Sequence, residues 1–251
     1  MDVNSINKIR PLKLAKGKVV PKGLGATFLT SIIEELILRG HESIIFTLDK
    51  EVKEETILTG QNLKIYVNNY RERKRARNFF KNEIDNLKEM IEKESLDVLH
   101  AHWTYEFAIA ALLTKNKVLV TAHDSPFKVL KYMPNLYRLV RLLMAYYALR
   151  KTKILTAVSK DTADHLRKYR FYNKKDIYVI PNPITVKHCI SKQYSKKDKE
   201  IVFASVMNGW GKLKNPTTLL KAYQLLRKKH NNTKLVMIGV DYEKFGPAYQ
   251  W

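Results

Sequence analysis

Two segments decide the fold of this chain: Asp97-Val-Leu-His100-Ala-His102-Trp103 and Val118-Leu-Val-Thr-Ala-His123-Asp124. The first segment overlaps the short apolar run Leu96 to Leu99, and the second begins with the run Val118 to Val120. Each run leads to a histidine. Runs that are short, rich in β-branched residues and followed by a helical pattern are typical of buried parallel strands. Ligands of open α/β sheets bind outside the carboxyl ends of such strands. The two segments therefore predict one active-site crevice.

Length and composition predict a globular protein of one large or two modest domains. The chain has 251 residues, of which 45% are hydrophobic, enough for a sizeable core. The single cysteine, Cys189, excludes an intrachain disulfide framework and indicates a reducing compartment, so we expect a cytoplasmic protein. The start has no apolar segment of signal-peptide length, and the run from Leu139 to Leu149 is interrupted by Arg141 and too short to span a bilayer.

The net charge of +22 predicts an affinity for polyanions. Nucleic acid, anionic lipid and phosphorylated substrates all fit such a charge, and a solvated lysine-rich surface explains it equally well. The sequence contains no RNP, zinc-finger or basic-zipper pattern, so we expect no specific nucleic-acid partner.

Strand and helix patterns alternate along the chain, which predicts an α/β fold with a parallel sheet. The apolar stripe of the first helix ends at Gly40, and Ser159 is placed to cap the helix that follows it. The predicted helices are Thr27 to Arg39, Arg71 to Lys93, Pro134 to Arg150 and Ser159 to Tyr169. The predicted strands, apart from the two histidine segments, are Lys8 to Leu14, Ser43 to Leu48, Leu63 to Val67, Ile154 to Val158 and Ile177 to Ile180.

A domain boundary is predicted after Pro181-Asn-Pro183, because proline ends a central strand and the polar run Ser191 to Lys199 resembles a linker. We expect a first domain over residues 1–183, a linker over 184–200 and a second domain over 201–251. The second α/β pattern consists of a strand at Ile201 to Val206, a helix at Asn215 to Lys229 and a strand at Lys234 to Gly239. It is shorter than a complete domain of this kind, so we expect it to be incomplete.

In this order the motifs resemble the retaining glycosyltransferases of family 4, whose GT-B fold has two Rossmann-like domains. Seven motifs carry the resemblance: Pro21-Lys-Gly23-Leu-Gly25, Arg39-Gly40-His41-Glu42, DVLHAHW at 97–103, VTAHDSP at 120–126, LTAVSKDTADHL at 155–166, VIPNPI at 179–184 and Lys214-Asn215-Pro216. The resemblance implies sugar transfer from a nucleotide diphosphate donor to a saccharide or lipid-linked acceptor, with retention and without a metal cofactor. Synthesis of polysaccharide or glycoconjugate is the implied setting.

In the first domain the resemblance implies a site built from four residues. Gly23 and Gly25 match the loop whose backbone approaches donor phosphates or acceptor, although a tight turn also requires glycine. His123 matches the active-site histidine that contacts the donor sugar, and His102 lines the same crevice. His100 is on the same strand face, deeper, and is equally compatible with a structural role.

In the second domain Lys214 matches the lysine that approaches the diphosphate, a favourable position because it opens a helix. Asn208 stands where relatives have arginine, and Lys212 could compensate for the lost charge. Relatives also have a Glu-x7-Glu pair that this sequence does not reach before Trp251. The pair Glu34 and Glu42 has the same spacing in the wrong domain. We therefore expect the 251-residue chain by itself to transfer sugar poorly.

Three alternatives remain open. His100, His102 and His123, with Asp124, could bind a metal in a hydrolase. Gly23, Gly25 and Asp49 resemble part of a dinucleotide fingerprint, but Phe28 occupies the third glycine position. The third alternative is a non-catalytic polyanion- or membrane-binding remnant, in which the basic start of the helix at 71–93 and Phe79 and Phe80 contact an anionic, lipid-bearing surface; a core helix with a basic exposed face explains the same pattern.

Overall fold

The computed structural model describes residues 21, 26–172, 176–184 and 200–250. The chain divides into two compact units. The first comprises Met1–Lys128 and Asn135–Cys189, and the second comprises Val129–Pro134 and Ile190–Trp251. The predicted first strand at 8–14 lies outside the described residues, and so does nearly all of the predicted linker at 184–200. The domain bounds that we expect from the sequence therefore stay a prediction.

One sheet of the first unit has three strands in the order β1-β3-β2. Strand β1 (Ser43–Asp49) is parallel to β3 (Leu63–Asn69), as expected, but β2 (Thr56–Gly60) is antiparallel to β3. Strand β2 was not among the strands predicted from the sequence, and its antiparallel pairing departs from the parallel sheet that was expected. Gly60 pairs with Leu63, so only two residues connect these strands, and Asn62 has a left-handed φ of 53°. A two-residue hairpin favours that backbone.

The other sheet of the first unit has four parallel strands in the order β4-β5-β6-β7. They are β4 (Leu99–His102), β5 (Val118–Ala122), β6 (Ile154–Ala157) and β7 (Ile177–Val179). The apolar run predicted as the start of this strand, Leu96 to Leu99, overlaps β4 only at Leu99. His100 and His102 belong to β4 itself, whereas His123 follows β5 directly, as predicted.

The helices of residues 26–172 are α1 (Thr27–Leu38), α2 (Lys81–Glu92), α3 (Glu106–Leu112), α4 (Pro126–Tyr132), α5 (Leu136–Lys151) and α6 (Lys160–Lys168). The buried apolar side chains form two clusters. Leu87, Val120 and Leu155 belong to the larger one. Ser159 caps α6, since its hydroxyl accepts a hydrogen bond from the Thr162 N–H at 3.1 Å. The cap confirms the prediction from the sequence.

The predicted single helix from Arg71 to Lys93 was wrong. A short 3-10 helix at Arg75–Asn78 comes first, and α2 begins only at Lys81. Phe79 and Phe80 between them both have left-handed backbones, with φ of 51° and 60°. This bend buries Phe80 completely and leaves Phe79 52% exposed. Burial of the Phe80 ring stabilises this break between the 3-10 helix and α2. The break is not visible in the spacing of the apolar residues.

The second unit repeats the α/β pattern at smaller scale. Strand β8 (Ile201–Val206) is parallel to β9 (Thr233–Ile238), and α7 (Pro216–Lys229) connects them. A short helix, α8 (Pro247–Gln250), follows. These elements confirm the strand, helix and strand predicted for residues 201–239. None of the helices in the described ranges is long and apolar enough to cross a membrane.

Candidate active site

Three histidines from two adjacent strands form one cluster at the carboxyl end of the four-stranded sheet. His102 pairs in register with Thr121, so His123 extends two positions beyond it on the neighbouring strand. The ring centroids of His100 and His102 are 4.1 Å apart, and those of His102 and His123 are 5.2 Å apart. The structure thus brings together the three histidines that the two opening segments predict to lie close.

Each histidine has a defined hydrogen-bond partner. His102 Nδ1 lies 3.0 Å from His123 Nε2, and His100 Nε2 lies 2.7 Å from Thr121 Oγ1. The chain of polar atoms continues to Thr156, whose hydroxyl is 2.6 Å from that of Thr121. These contacts hold His100 against the strand surface, while His102 and His123 orient each other. His100 therefore joins the histidine cluster to the hydroxyl groups of Thr121 and Thr156.

The protein environment keeps these imidazoles uncharged. Partial removal from water lowers the pKa of His123 from the ordinary 6.5 to about 4, and it lowers the pKa of His100, the most exposed ring of the three, in the same direction. Burial also lowers the pKa of His102, and the adjacent rings of His100 and His123 add to this decrease. Near neutral pH each ring therefore has one N–H donor and one acceptor nitrogen. The cluster can orient a hydroxyl group by hydrogen bonding without adding charge.

Two aromatic rings, Phe28 and Trp103, pack against the histidines, and neither was predicted from the sequence to belong to the site. Phe28 of α1 stacks on His123 with ring centroids 4.6 Å apart, and Trp103 lies 4.8 Å from the same ring. Trp103 has a left-handed φ of 66°, and its backbone N–H donates to the Thr121 carbonyl oxygen at 2.9 Å. A bulky residue rarely adopts this backbone. Strain of this kind is concentrated at functional sites.

A second polar network lies immediately behind His123. The Tyr105 hydroxyl donates to Asp124, with both carboxylate oxygens at 2.9 Å. The Arg141 guanidinium stacks 3.7 Å from the centroid of the Tyr105 ring and pairs with Glu106 at 3.0 Å. Burial raises the pKa of Asp124, while the Tyr105 hydrogen bond opposes this increase. The network holds the Asp124 carboxylate in place. The sequence did not assign Asp124 a role in the glycosyltransferase site.

The predicted residues of the second unit lie around the ends of its two strands. The side-chain Oδ1 of Asn208 accepts a hydrogen bond from the backbone N–H of Val240 at 3.0 Å, so this amide side chain connects the segments after β8 and β9. Lys212 and Lys214 are exposed, and neither forms an ion pair with any residue in the described ranges. Lys214 precedes α7, whose first residue is Pro216. Both lysines are thus available to an anion at this helix start.

The other predictions fall in two groups. Gly23 and Gly25 lie outside the described residues, so their predicted contact with phosphates or acceptor stays a prediction. The hydrolase alternative required the histidines to bind a metal. Within the described ranges no group of three or more His, Cys, Asp or Glu side chains is arranged to hold one. His102 and His123 instead direct ring nitrogens at each other.

Helices and sheets that are parallel except at β2 make this an α/β protein, and the likeness to a solved structure reported below supports the GT-B type that the sequence predicts. The sequence model of Glycosyltransferase Family 4 matches residues 25–188, and the chain belongs to this family. The metal-dependent hydrolase and the non-catalytic remnant are accordingly not favoured.

Two relatives illustrate the likeness. The chain is 25% identical over 164 residues to the N-acetyl-alpha-D-glucosaminyl L-malate synthase of Bacillus anthracis, a match that covers 60% of this chain and 41% of that protein. An E. coli structure described as trehalose-6-phosphate bound with UDP-2-fluoro glucose aligns with a TM-score of 0.61 and 13% identity. It covers 93% of this chain and 65% of that one. The chain therefore spans less than two thirds of either relative.

Proposed function

We propose that this protein is a retaining glycosyltransferase that moves a sugar from a nucleotide diphosphate donor to a saccharide or lipid-linked acceptor. One observation carries the proposal: His102 and His123 form a neutral, hydrogen-bonded pair at the carboxyl ends of two adjacent parallel strands. Membership of Glycosyltransferase Family 4 over residues 25–188 supports the reaction class. The cytoplasm, at or near the inner face of the membrane, is the setting that fits both acceptor types.

The histidine cluster suits the recognition of a sugar. Hydroxyl groups both donate and accept hydrogen bonds, and a neutral imidazole offers one of each. Phe28 and Trp103 add aromatic surface beside His123, and apolar surface of this kind packs against the C–H face of a sugar ring. His123 contacts the donor sugar in this proposal, and His102 forms part of the acceptor wall.

The second unit supplies positive charge for the departing diphosphate. Lys214 and Lys212 lie beside the start of α7, a helix of 14 residues. Fixed cations and helix N-termini stabilise the negative charge that develops on the diphosphate as its bond to the sugar breaks. We propose that these groups make a metal cofactor unnecessary. Asn208 has no charge and contributes to donor binding by connecting the segments that follow β8 and β9.

Donor binding by the purified 251-residue chain tests the proposal. Saturation-transfer NMR with UDP-N-acetylglucosamine, UDP-glucose and GDP-mannose should show contacts from both the sugar and the nucleotide of one donor. Adding EDTA should leave these signals unchanged. His123→Ala should weaken the sugar signals selectively, whereas Lys214→Ala should weaken binding of the whole donor by about tenfold, the effect of one charged hydrogen bond.

Lys228→Ala is the matched control, since this lysine of α7 is exposed and lies at the opposite end of the helix. It should bind donor as the unaltered chain does. The proposal is wrong if none of the three donors binds, or if His123→Ala and Lys214→Ala bind as tightly as Lys228→Ala.

A further inference from the structure

Asp124 directly follows His123 at the carboxyl end of β5, and the two side chains contact different residues of the segment after β4. The His123 and Trp103 ring centroids are 4.8 Å apart, whereas the Asp124 carboxylate contacts the Tyr105 hydroxyl. Consecutive Cα atoms are only about 3.8 Å apart. A carboxylate therefore lies immediately beside the histidine that contacts the donor sugar in the proposed function.

The Asp124 carboxylate has more hydrogen-bonding capacity than Tyr105 uses. The Tyr105 hydroxyl lies 2.9 Å from both carboxylate oxygens, but a phenol has one hydrogen and a carboxylate has about four acceptor positions. No other residue in the described ranges donates a hydrogen bond to this carboxylate. Tyr105 is 2% exposed, whereas Asp124 is partly exposed. The acceptor positions that remain are therefore available to a ligand on the side away from the buried phenol.

The charged side chains that act on Asp124 balance one another. Burial raises the pKa of Asp124, and the positive charges of Arg141 and Arg138 oppose this increase. Glu106 is the second carboxylate of the group, and it pairs with Arg141 at 3.0 Å. Arg138 is thus the cation that compensates Asp124. Two cations and two carboxylates leave no excess positive charge to attract an anionic group to this position.

We propose that Asp124 is a specificity-determining residue that binds a hydroxyl group of an uncharged saccharide acceptor. This inference rests on the proposed function, which assigns the donor sugar to His123. Hydroxyl groups donate hydrogen bonds to carboxylates, and such charge-assisted bonds are stronger than those between neutral groups. A carboxylate or phosphate on the acceptor would instead be repelled by Asp124. Tyr105 is a positioning residue, because its hydroxyl holds the carboxylate from the buried side.

Saturation-transfer NMR titrations of the full 251-residue chain test the inference. The probes are the methyl α-glycosides of glucose, galactose and mannose, each compared with the matching uronate, which differs only at carbon 6. At least one neutral glycoside should bind, and it should bind more tightly than its uronate. Asp124→Asn should weaken binding of the neutral glycoside by about tenfold, the effect of one hydrogen bond to a charged group. It should also abolish the preference for the neutral glycoside, a change that a merely structural defect would not produce.

Asp97→Asn is the matched control, because this exposed aspartate precedes β4 at the amino end of the same sheet. It should bind every probe as the unaltered chain does. Circular dichroism verifies the fold of each variant. If Asp124→Asn does not fold, Tyr105→Phe decides the question, since it keeps the ring and removes the hydroxyl; it should weaken binding of the neutral glycoside by about threefold, less than the loss of the charged group itself.

The inference is overturned if no neutral glycoside binds, if a uronate binds as tightly as its neutral parent, or if Asp124→Asn binds like Asp97→Asn. Unchanged binding by Tyr105→Phe would overturn it equally where that variant decides.

Donor binding separates this inference from the proposed function. A nucleotide sugar that binds should leave the glycoside signals in place, because donor and acceptor sugars contact different residues, His123 and Asp124. If a donor binds and displaces the glycoside, the inference is overturned and the proposed function stands. If none of the three donors binds, the proposed function is wrong, and the assignment of Asp124 to an acceptor is wrong with it.

Discussion

The Nδ1 atom of His102 lies 3.0 Å from the Nε2 atom of His123, so one of these two rings must donate a hydrogen to the other. If both rings were protonated, both nitrogens would be donors and the contact would be repulsive. Phe28 packs against His102, and Trp103 packs against His123. Geometry and burial therefore favour the same neutral state.

The first prediction concerns the pH dependence of this cluster. The pKa of His123 is lowered from 6.5 to about 4 by burial, so the unfolded chain binds more protons than the folded chain between these values. Stability should rise with pH across this window and should be lost as pH falls from about 6.5 toward about 4. Histidine ring signals in NMR titrations measure this directly. Single substitutions of His100, His102 and His123 assign the signals. A midpoint near 6.5 for the His123 ring would contradict the prediction.

The second prediction concerns Trp103 as a surface for saccharide. The chain contains three tryptophans, so Trp210→Phe/Trp251→Phe leaves Trp103 as the single fluorescent reporter. Addition of the donor identified by NMR should change its emission. In the otherwise unaltered chain, Trp103→Ala should weaken sugar binding by about tenfold, the usual value of one aromatic contact. Trp103→Phe should keep most of the affinity. Equal binding by the alanine and phenylalanine variants would exclude a stacking role.

The sequence was sufficient to predict those strands and helices whose own residues determine their structure. The runs at Val118 and Ser43 predict β5 and β1 because a buried parallel strand needs a continuous apolar segment. The break before α2 was missed because the apolar spacing continues across it. The deciding feature is the left-handed backbone of Phe79 and Phe80. Strand β2 was missed because its hairpin turn, Gln61-Asn62, contains no glycine.

The histidines of the site were predictable for a simple reason, whereas the residues that support them were not. Parallel strands bring their carboxyl ends together, so His102 and His123 had to lie close. Tyr105 and Arg141, in contrast, come from different elements, and an arginine on a helix usually indicates a solvated face. Only the fold shows that this guanidinium lies over a buried tyrosine ring and faces a buried carboxylate.

The third prediction concerns that buried ion pair. The side chains of Arg141 and Glu106 are 15% and 6% exposed, so removing one partner leaves an uncompensated charge. Glu106→Gln and Arg141→Gln should each destabilise the protein by about 3 kcal/mol, and the double substitution should cost much less than their sum. Urea unfolding measures all three variants. The control is Glu35→Gln, whose pair with Arg39 is 57% and 68% exposed; it should cost below about 1 kcal/mol. Additive effects of the two buried substitutions would show that the pair is not coupled.

The fourth prediction concerns Gly239, where the segments after β8 and β9 meet. Its φ is 140°, and a Cβ atom placed there would lie 1.9 Å from the Met207 carbonyl oxygen and 2.7 Å from Asn208 Oδ1. Gly239→Ala must therefore move the Asn208 side chain and break its hydrogen bond with the Val240 N–H. That hydrogen bond holds the start of the segment that leads to Lys212 and Lys214. We expect a loss of at least about 2 kcal/mol in stability from strain and overpacking. Donor binding should weaken together with stability.

Gly211→Ala is the matched control, because no heavy atom lies within 4 Å of its Cβ position and its φ is not left-handed. Thermal unfolding and donor titration of both variants measure the difference. If Gly239→Ala unfolds at the same temperature as Gly211→Ala and binds donor equally, the close approach of these two segments does not form in solution.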